Sequence, residues 1–150
     1  MAFTIIKTNE INGVKIKEIL DKYLIESELD DDGDVVIDEP IRIYMQANEK
    51  EKIIRIFRFS YLFGLFDDVS TDLDESVAND DLKIKLYTAI NEANAMNYFA
   101  KHSIFKKSIL SEMTLMIDPS LSEEIIVRYF KKFQSEVIKL NNSTPFKEWL

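Results

Sequence analysis

The amino-acid sequence predicts an α+β fold: an antiparallel sheet of about five strands with three helices, in the order α-β-β-β-α-β-β-α. Three observations carry this. Apolar residues recur with helical spacing in three separate segments. Three runs rich in β-branched and aromatic residues lie between the first and second of these segments, and two more lie between the second and third. Glycine and proline number only three each, so most of the chain is regular structure.

Each element has its own justification. In Gly13–Glu26, the residues Ile16, Ile19, Leu20, Tyr23 and Leu24 fall on one stripe, and Asn12 or Asn9 can cap the start. Glu28–Asp34 is acidic and turn-like. Val35–Ile37 is a short β-branched strand. Beyond Pro40, Ile41–Ala47 alternates Ile41, Ile43 and Met45 with Arg42, Tyr44 and Gln46, the pattern of a strand with one buried face. After the polar turn Asn48–Glu51, Lys52–Phe63 is a long third strand. Short polar turns imply an antiparallel meander. Asp67–Asp81 reads as an acidic loop.

The second helix is expected over Asp80–Phe99, with Leu82, Leu86, Ile90, Ala93 and Asn97 near one stripe. Short strands follow at Ser103–Phe105 and Ile109–Ile117. Asp118-Pro119-Ser120 breaks the pattern. Ser120 or Ser122 caps a last helix, Glu123–Leu140, striped by Ile126, Tyr129, Phe130, Phe133, Val137 and Leu140. The remainder, Asn141–Leu150, reads as a tail of a single domain spanning 1–150.

Composition bounds the function. The chain of 150 residues can bury one sizeable core. Without cysteine it has no disulfide framework, no thiol nucleophile and no cysteine-based metal site. The first ten residues lack a signal-peptide pattern, and no segment approaches the roughly 20 apolar residues of a membrane span. A soluble cytoplasmic protein is expected. The net charge of −8 works against phosphate binding and suits a basic partner. Glycine-rich phosphate loops are absent, and no cofactor is expected.

Three constellations carry candidate chemistry. Glu28–Glu39 matches a calcium loop at Asp30, Asp32, Gly33, Val35 and Glu39, with Glu28 at its first position. Against it stand the glutamate at that first position, the β-branched Val35–Ile37, and Pro40, which disfavours helix at Glu39; a solvated turn before a strand competes. Asp67, Asp68, Asp72, Asp74, Glu75, Asp80 and Asp81 could serve a metal or acid–base chemistry, but no histidine lies near them, and a solvated loop competes. His102, the single histidine, would have to serve any serine triad, with Ser103, Ser108 or Ser111; no nucleophile elbow accompanies it, and a structural role competes. Lys101, Lys106 and Lys107 with His102 and Phe105 form one basic cluster, read also as interspersed surface lysines. The aromatic residues Phe57, Phe59, Tyr61 and Phe63 alternate along the third strand, with Ile54, Ile56 and Leu62 on the other parity. Burial on both faces is therefore expected, one under helices and one under a cover such as a second subunit.

Leu86–Leu140 resembles the YbjN-like domain, a bacterial family described as sensory transduction regulators. The resemblance rests on Ile90-Asn91-Glu92-Ala93-Asn94 closing a helix, the hairpin Phe105–Ile117, and the aromatic-striped helix Leu121–Leu140. The front half is similar in element order only. The same topology is shared with type III secretion chaperones. The resemblance implies a non-enzymatic, protein-binding α+β domain with no catalytic residues. Expected with it are a homodimer and a protein or peptide partner of basic character, with neither nucleic acid nor membrane. Phe57, Phe59 and Tyr61 are expected to form the contact strand and Trp149 an exposed anchor. An immunity or antitoxin-like protein with a basic target is the alternative, followed by a metal-dependent hydrolase built on the acidic loops.

Overall fold

The apolar stripe of the first helix ends earlier than its spacing suggests. Asn12 caps α1 (Gly13–Lys22), its side chain accepting the Lys15 N–H at 2.9 Å. The helix stops because Leu24 takes a left-handed conformation, φ 60°. The Leu24 N–H then donates to Asp21 and the Ile25 N–H to Leu20, the paired closure usually built on glycine. A computed structural model describes residues 3–65 and 80–150, with side chains of the second stretch described from residue 83.

Besides a 3-10 turn (Thr8–Glu10), the remaining elements are β1 (Glu28–Leu29), β2 (Val35–Ile37), β3 (Ile43–Asn48), β4 (Ile53–Tyr61), α2 (Asp80–Met96), β5 (Lys101–Phe105), β6 (Ser108–Met116), α3 (Glu123–Asn141) and α4 (Phe146–Trp149). The sheet has six strands in the order β1-β2-β3-β4-β6-β5. The pairs β1–β2, β2–β3, β3–β4 and β5–β6 are antiparallel. The α+β class and the meander are as the sequence predicts. The additional strand is β1, whose two exposed residues have no alternation to betray them. The chain divides into two compact units, residues 1–57 with 113–134, and residues 58–112 with 135–150.

In the first unit, α1 packs over β1, β2 and β3. Ile16, Ile19 and Leu20 are buried, as are Val35, Ile37, Ile43, Met45, Ile54 and Ile56. Gly13 is needed where it stands: a Cβ there would lie 2.0 Å from the Gly33 carbonyl oxygen, so the β1–β2 turn rests directly on the helix start. The N-terminal stretch is laced to the start of α3. Ile6 donates to Leu121, Glu123 donates to Thr4, and the Thr4 N–H is received by the Glu124 carboxylate. Ser122 caps α3, accepting the Ile125 N–H at 3.2 Å.

In the second unit, Leu86, Ala89, Ile90 and Ala93 of α2 meet Leu62, Ile109, Leu140, Phe146 and Trp149 in one apolar core. Met96 is exposed, and α2 ends there rather than at Phe99. The tail expected at Asn141–Leu150 is corrected by α4. Phe146 and Trp149 are buried in edge-to-face contact, ring centroids 5.6 Å apart. The Gly64 N–H donates to the Trp149 carbonyl at 2.9 Å, and a Cβ on Gly64 would fall 2.2 Å from the Glu148 oxygen.

Candidate functional site

The calcium-like segment is a hairpin turn. Asp30 uses its carboxylate internally, accepting the N–H groups of Asp32 (3.0 Å) and Asp34 (2.9 Å). Its backbone N–H donates to the Asp34 carbonyl, and Gly33 sits at φ 83°. Val35 and Ile37 point into the core. Among the described residues no three carboxylates or imidazoles are grouped to hold a metal, so Glu28, Asp30, Asp32 and Glu39 are not brought together. The acidic positions Asp67, Asp68, Asp72, Asp74 and Glu75 lie outside the described residues, as do the side chains of Asp80 and Asp81.

The hairpin β5–β6 settles what His102 does. Its two-residue turn, with Lys106 at φ 54°, fixes the register so that His102 faces Ser111 directly. The imidazole is buried, its Nδ1 lies 2.7 Å from the Ser111 hydroxyl, and its Nε2 is paired with the Asn97 amide. With that amide donating to Nε2, the ring carries its proton on Nδ1 and donates it to Ser111. Burial holds its pKa down at about 4, against a smaller upward pull from Glu136. Ser111 is fully buried, so no substrate reaches its hydroxyl, and an amide stands where a triad would place its carboxylate. Ser103 is exposed and Ser108 half-buried, and neither is among the hydrogen-bond partners described for the ring.

Around this pair the joint between α2 and β5 is clamped from both sides. Asn94 brackets the His102 backbone, donating to its carbonyl at 2.8 Å and accepting its N–H at 2.7 Å. Glu136 of α3 receives the N–H groups of Tyr98 (3.1 Å), Phe99 (3.2 Å) and Ala100 (2.6 Å). The Asn in the Asn91-Glu92-Ala93-Asn94 element thus holds a strand in register. The basic cluster is corrected: Lys107 is buried while Lys101 and Lys106 are exposed, and Lys106 lies over the Phe105 ring at 5.7 Å.

The aromatic strand divides where the two units do. Phe57 is covered within its own unit, stacked on its cross-strand partner Tyr44 at 5.3 Å with the Arg55 guanidinium 4.5 Å from its ring centroid. Phe57 is therefore not part of the exposed aromatic surface of the second unit. In the second unit Phe59 is 42% exposed, Phe63 69% and Phe105 48%. Phe59 and Phe105 pack 5.6 Å apart, and Tyr61 meets Phe63 edge-on at 4.4 Å. Phe59 and Tyr61 alternate on β4 and so share one face; Phe63, in the turn that follows, packs on Tyr61, and Phe105 extends the patch beside Phe59. The Tyr61 hydroxyl is buried without a hydrogen-bond partner among the described residues. Trp149, expected as an exposed anchor, is instead 7% exposed and belongs to the core. Phe105 was legible only as a member of the basic cluster, because its place beside Phe59 depends on the strand order.

No family model and no curated protein matches the chain. Solved structures do share its fold. YbjN of E. coli, described as a candidate transcription regulator, aligns with a TM-score of 0.59 at 8% identity over 85% of this chain and 86% of its own. A chain of the HopA1–SchA chaperone–effector complex aligns at 0.56, with 10% identity over 87% of this chain and 94% of its own. An uncharacterized protein from Methanothermobacter thermautotrophicus aligns at 0.58, with 12% identity over 87% and 94%. The fold expected from Leu86–Leu140 is therefore the fold of the chain, shared with both YbjN and a chaperone–effector chain. Among the described residues no helix is long and apolar enough to cross a membrane.

Proposed function

We propose that this chain is a non-enzymatic, chaperone-like or regulatory protein-binding domain of the cytoplasm that docks an apolar stretch of another protein chain on its β4–β5 aromatic patch. The observation that carries this reading is the exposure of Phe59, Phe63 and Phe105 on one unit, with Phe59 packed on Phe105 and Phe63 on Tyr61. Rings left in water at this density forgo burial worth about 1.5–3 kcal/mol each, which a partner recovers. The shared fold with a chain of a chaperone–effector complex supports this mode of action. A second copy of the chain is the simplest occupant and makes the protein a homodimer.

Light scattering across concentration, on the wild type and on Phe59→Asp with Phe63→Asp, tests this. Both side chains are exposed, so the double variant is expected to fold. A concentration-dependent dimer that the variant converts to monomer supports the self-association form. A wild-type monomer directs the patch to a different protein, sought by cross-linking through Phe63→Cys. A dimer unchanged in the double variant sinks the patch as the interface.

A further inference from the structure

A second surface, wholly within the other unit, carries a different recognition chemistry. Where α1 ends, a cavity of about 600 Å³ opens between the α1–β1 connection, the β2–β3 connection and α3, within the size range of small-ligand clefts, roughly 300–1,000 Å³. Its apolar lining includes Ile25, Pro40 and the buried ring of Phe130. Its rim is acidic. Asp21, Glu26, Glu28, Asp38 and Glu39 all line it, against the single cation Lys131. Lys17 pairs with Asp21 at 2.8 Å and Arg42 with Asp38 at 2.5 Å, whereas Glu26, Glu28 and Glu39 have no ion pair among the described residues. The C-terminal end of α1 adds the negative pole of the helix dipole.

Leu24 is the independent observation. It also lines the cavity, is 93% exposed, and is held at φ 60°, where a residue with a Cβ is strained by roughly 1–2 kcal/mol. The helix closure there requires a left-handed residue, and glycine would provide it more easily. The chain instead holds a large aliphatic group in water at the lip of an apolar-floored cavity.

We propose that this cavity docks a basic, amphipathic peptide segment of a partner protein, in which arginine or lysine alternates with aliphatic residues. The carboxylates are spread over separate segments and are not grouped to share one metal ion. Several separate cations on one chain match carboxylates spread over separate segments, and aliphatic groups between them match Leu24, Ile25 and Pro40. The site stands on charge complementarity and the exposed leucine at the cavity's lip, and does not depend on the aromatic patch.

The test is fluorescence anisotropy of a labelled peptide of alternating arginine and leucine, beside a peptide of equal charge with serine for leucine. The leucine peptide binds saturably and the serine peptide at least roughly tenfold more weakly. Glu26→Gln with Glu28→Gln and Glu39→Gln weakens the leucine peptide about tenfold or more. Glu49→Gln with Glu51→Gln and Glu148→Gln, an equal charge change elsewhere, leaves it within about twofold. Leu24→Gly suits the backbone, keeps the protein folded, and weakens binding severalfold. Amide resonances of Ile25–Glu28 and Lys131–Gln134 shift on titration. Absence of binding, equal binding of the serine peptide, or equal loss in the two triple variants overturns the proposal, the last two by showing only the pull of the net charge.

Discussion

His102 shows how a residue type that suggests catalysis is turned to structure. Its ring is buried between Ser111 and the Asn97 amide, and burial keeps it neutral, with a pKa of about 4 against 6.5 for a free imidazole. The pKa is depressed in the fold, so the unfolded chain takes up a proton first as pH falls. The contribution to stability is complete above about pH 6.5 and is lost progressively down to about pH 4, on the order of 3 kcal/mol. Asp118 and Glu124, pulled down mainly by hydrogen bonds at Ser120 and from the Glu124 backbone, lose their contributions only lower, as pH falls through their depressed values. Urea unfolding followed from neutral to mildly acidic pH checks this. The wild type should lose stability through the histidine window, and His102→Gln should start less stable but show a flatter profile there. A wild-type profile as flat as the variant's would sink the neutral buried ring. The sequence alone exposed part of this arrangement. A two-residue turn between Phe105 and Ser108 would have placed His102 opposite Ser111, but that turn was legible only once the strand ends were known.

Among the elements, periodicity was a reliable guide wherever an element has one wet and one dry face. It marked α1, β3 and α3, most of whose predicted stripe residues are buried, though Leu24 is exposed, Tyr129 is half-buried and Val127 is buried outside the stripe. It failed at β1, which is too short to alternate, and at α4. Phe146, Trp149 and Leu150 fall at i, i+3 and i+4, a single helical turn, yet among polar neighbours they read as a tail. The turn is stable only because Gly64 lets its backbone come close and the α2 core accepts its rings. Trp149→Ala should therefore cost about 3–5 kcal/mol, the usual range for emptying a large aromatic site. Truncation after Ser143 should cost more, because Leu62, Leu86 and Ile90 lose their cover. Thermal unfolding of both variants is the check; melting temperatures equal to the wild type's would return α4 to the status of a tail.

At the scale of the molecule, three long elements, β4, β6 and α3, each contribute residues to both compact units. Neither unit is a continuous piece of chain, so neither can be removed by a single cut. We infer that the chain folds as one domain with a single transition. Calorimetry should return a measured enthalpy equal to the van't Hoff value, and a ratio well above one would instead show the units melting in turn. The aromatic and acidic surfaces lay partly hidden in the sequence for one reason: alternation shows which residues share a strand face, but only strand order shows which strands meet. The buried indole has an experimental use of its own. Because the chain has one tryptophan and it sits in α4, its emission is an optical probe of the C-terminal segment and of the core that segment covers. A red shift that precedes the loss of circular dichroism would report the last turn peeling away before the sheet opens. No label has to be added to watch that step in a stopped-flow cell.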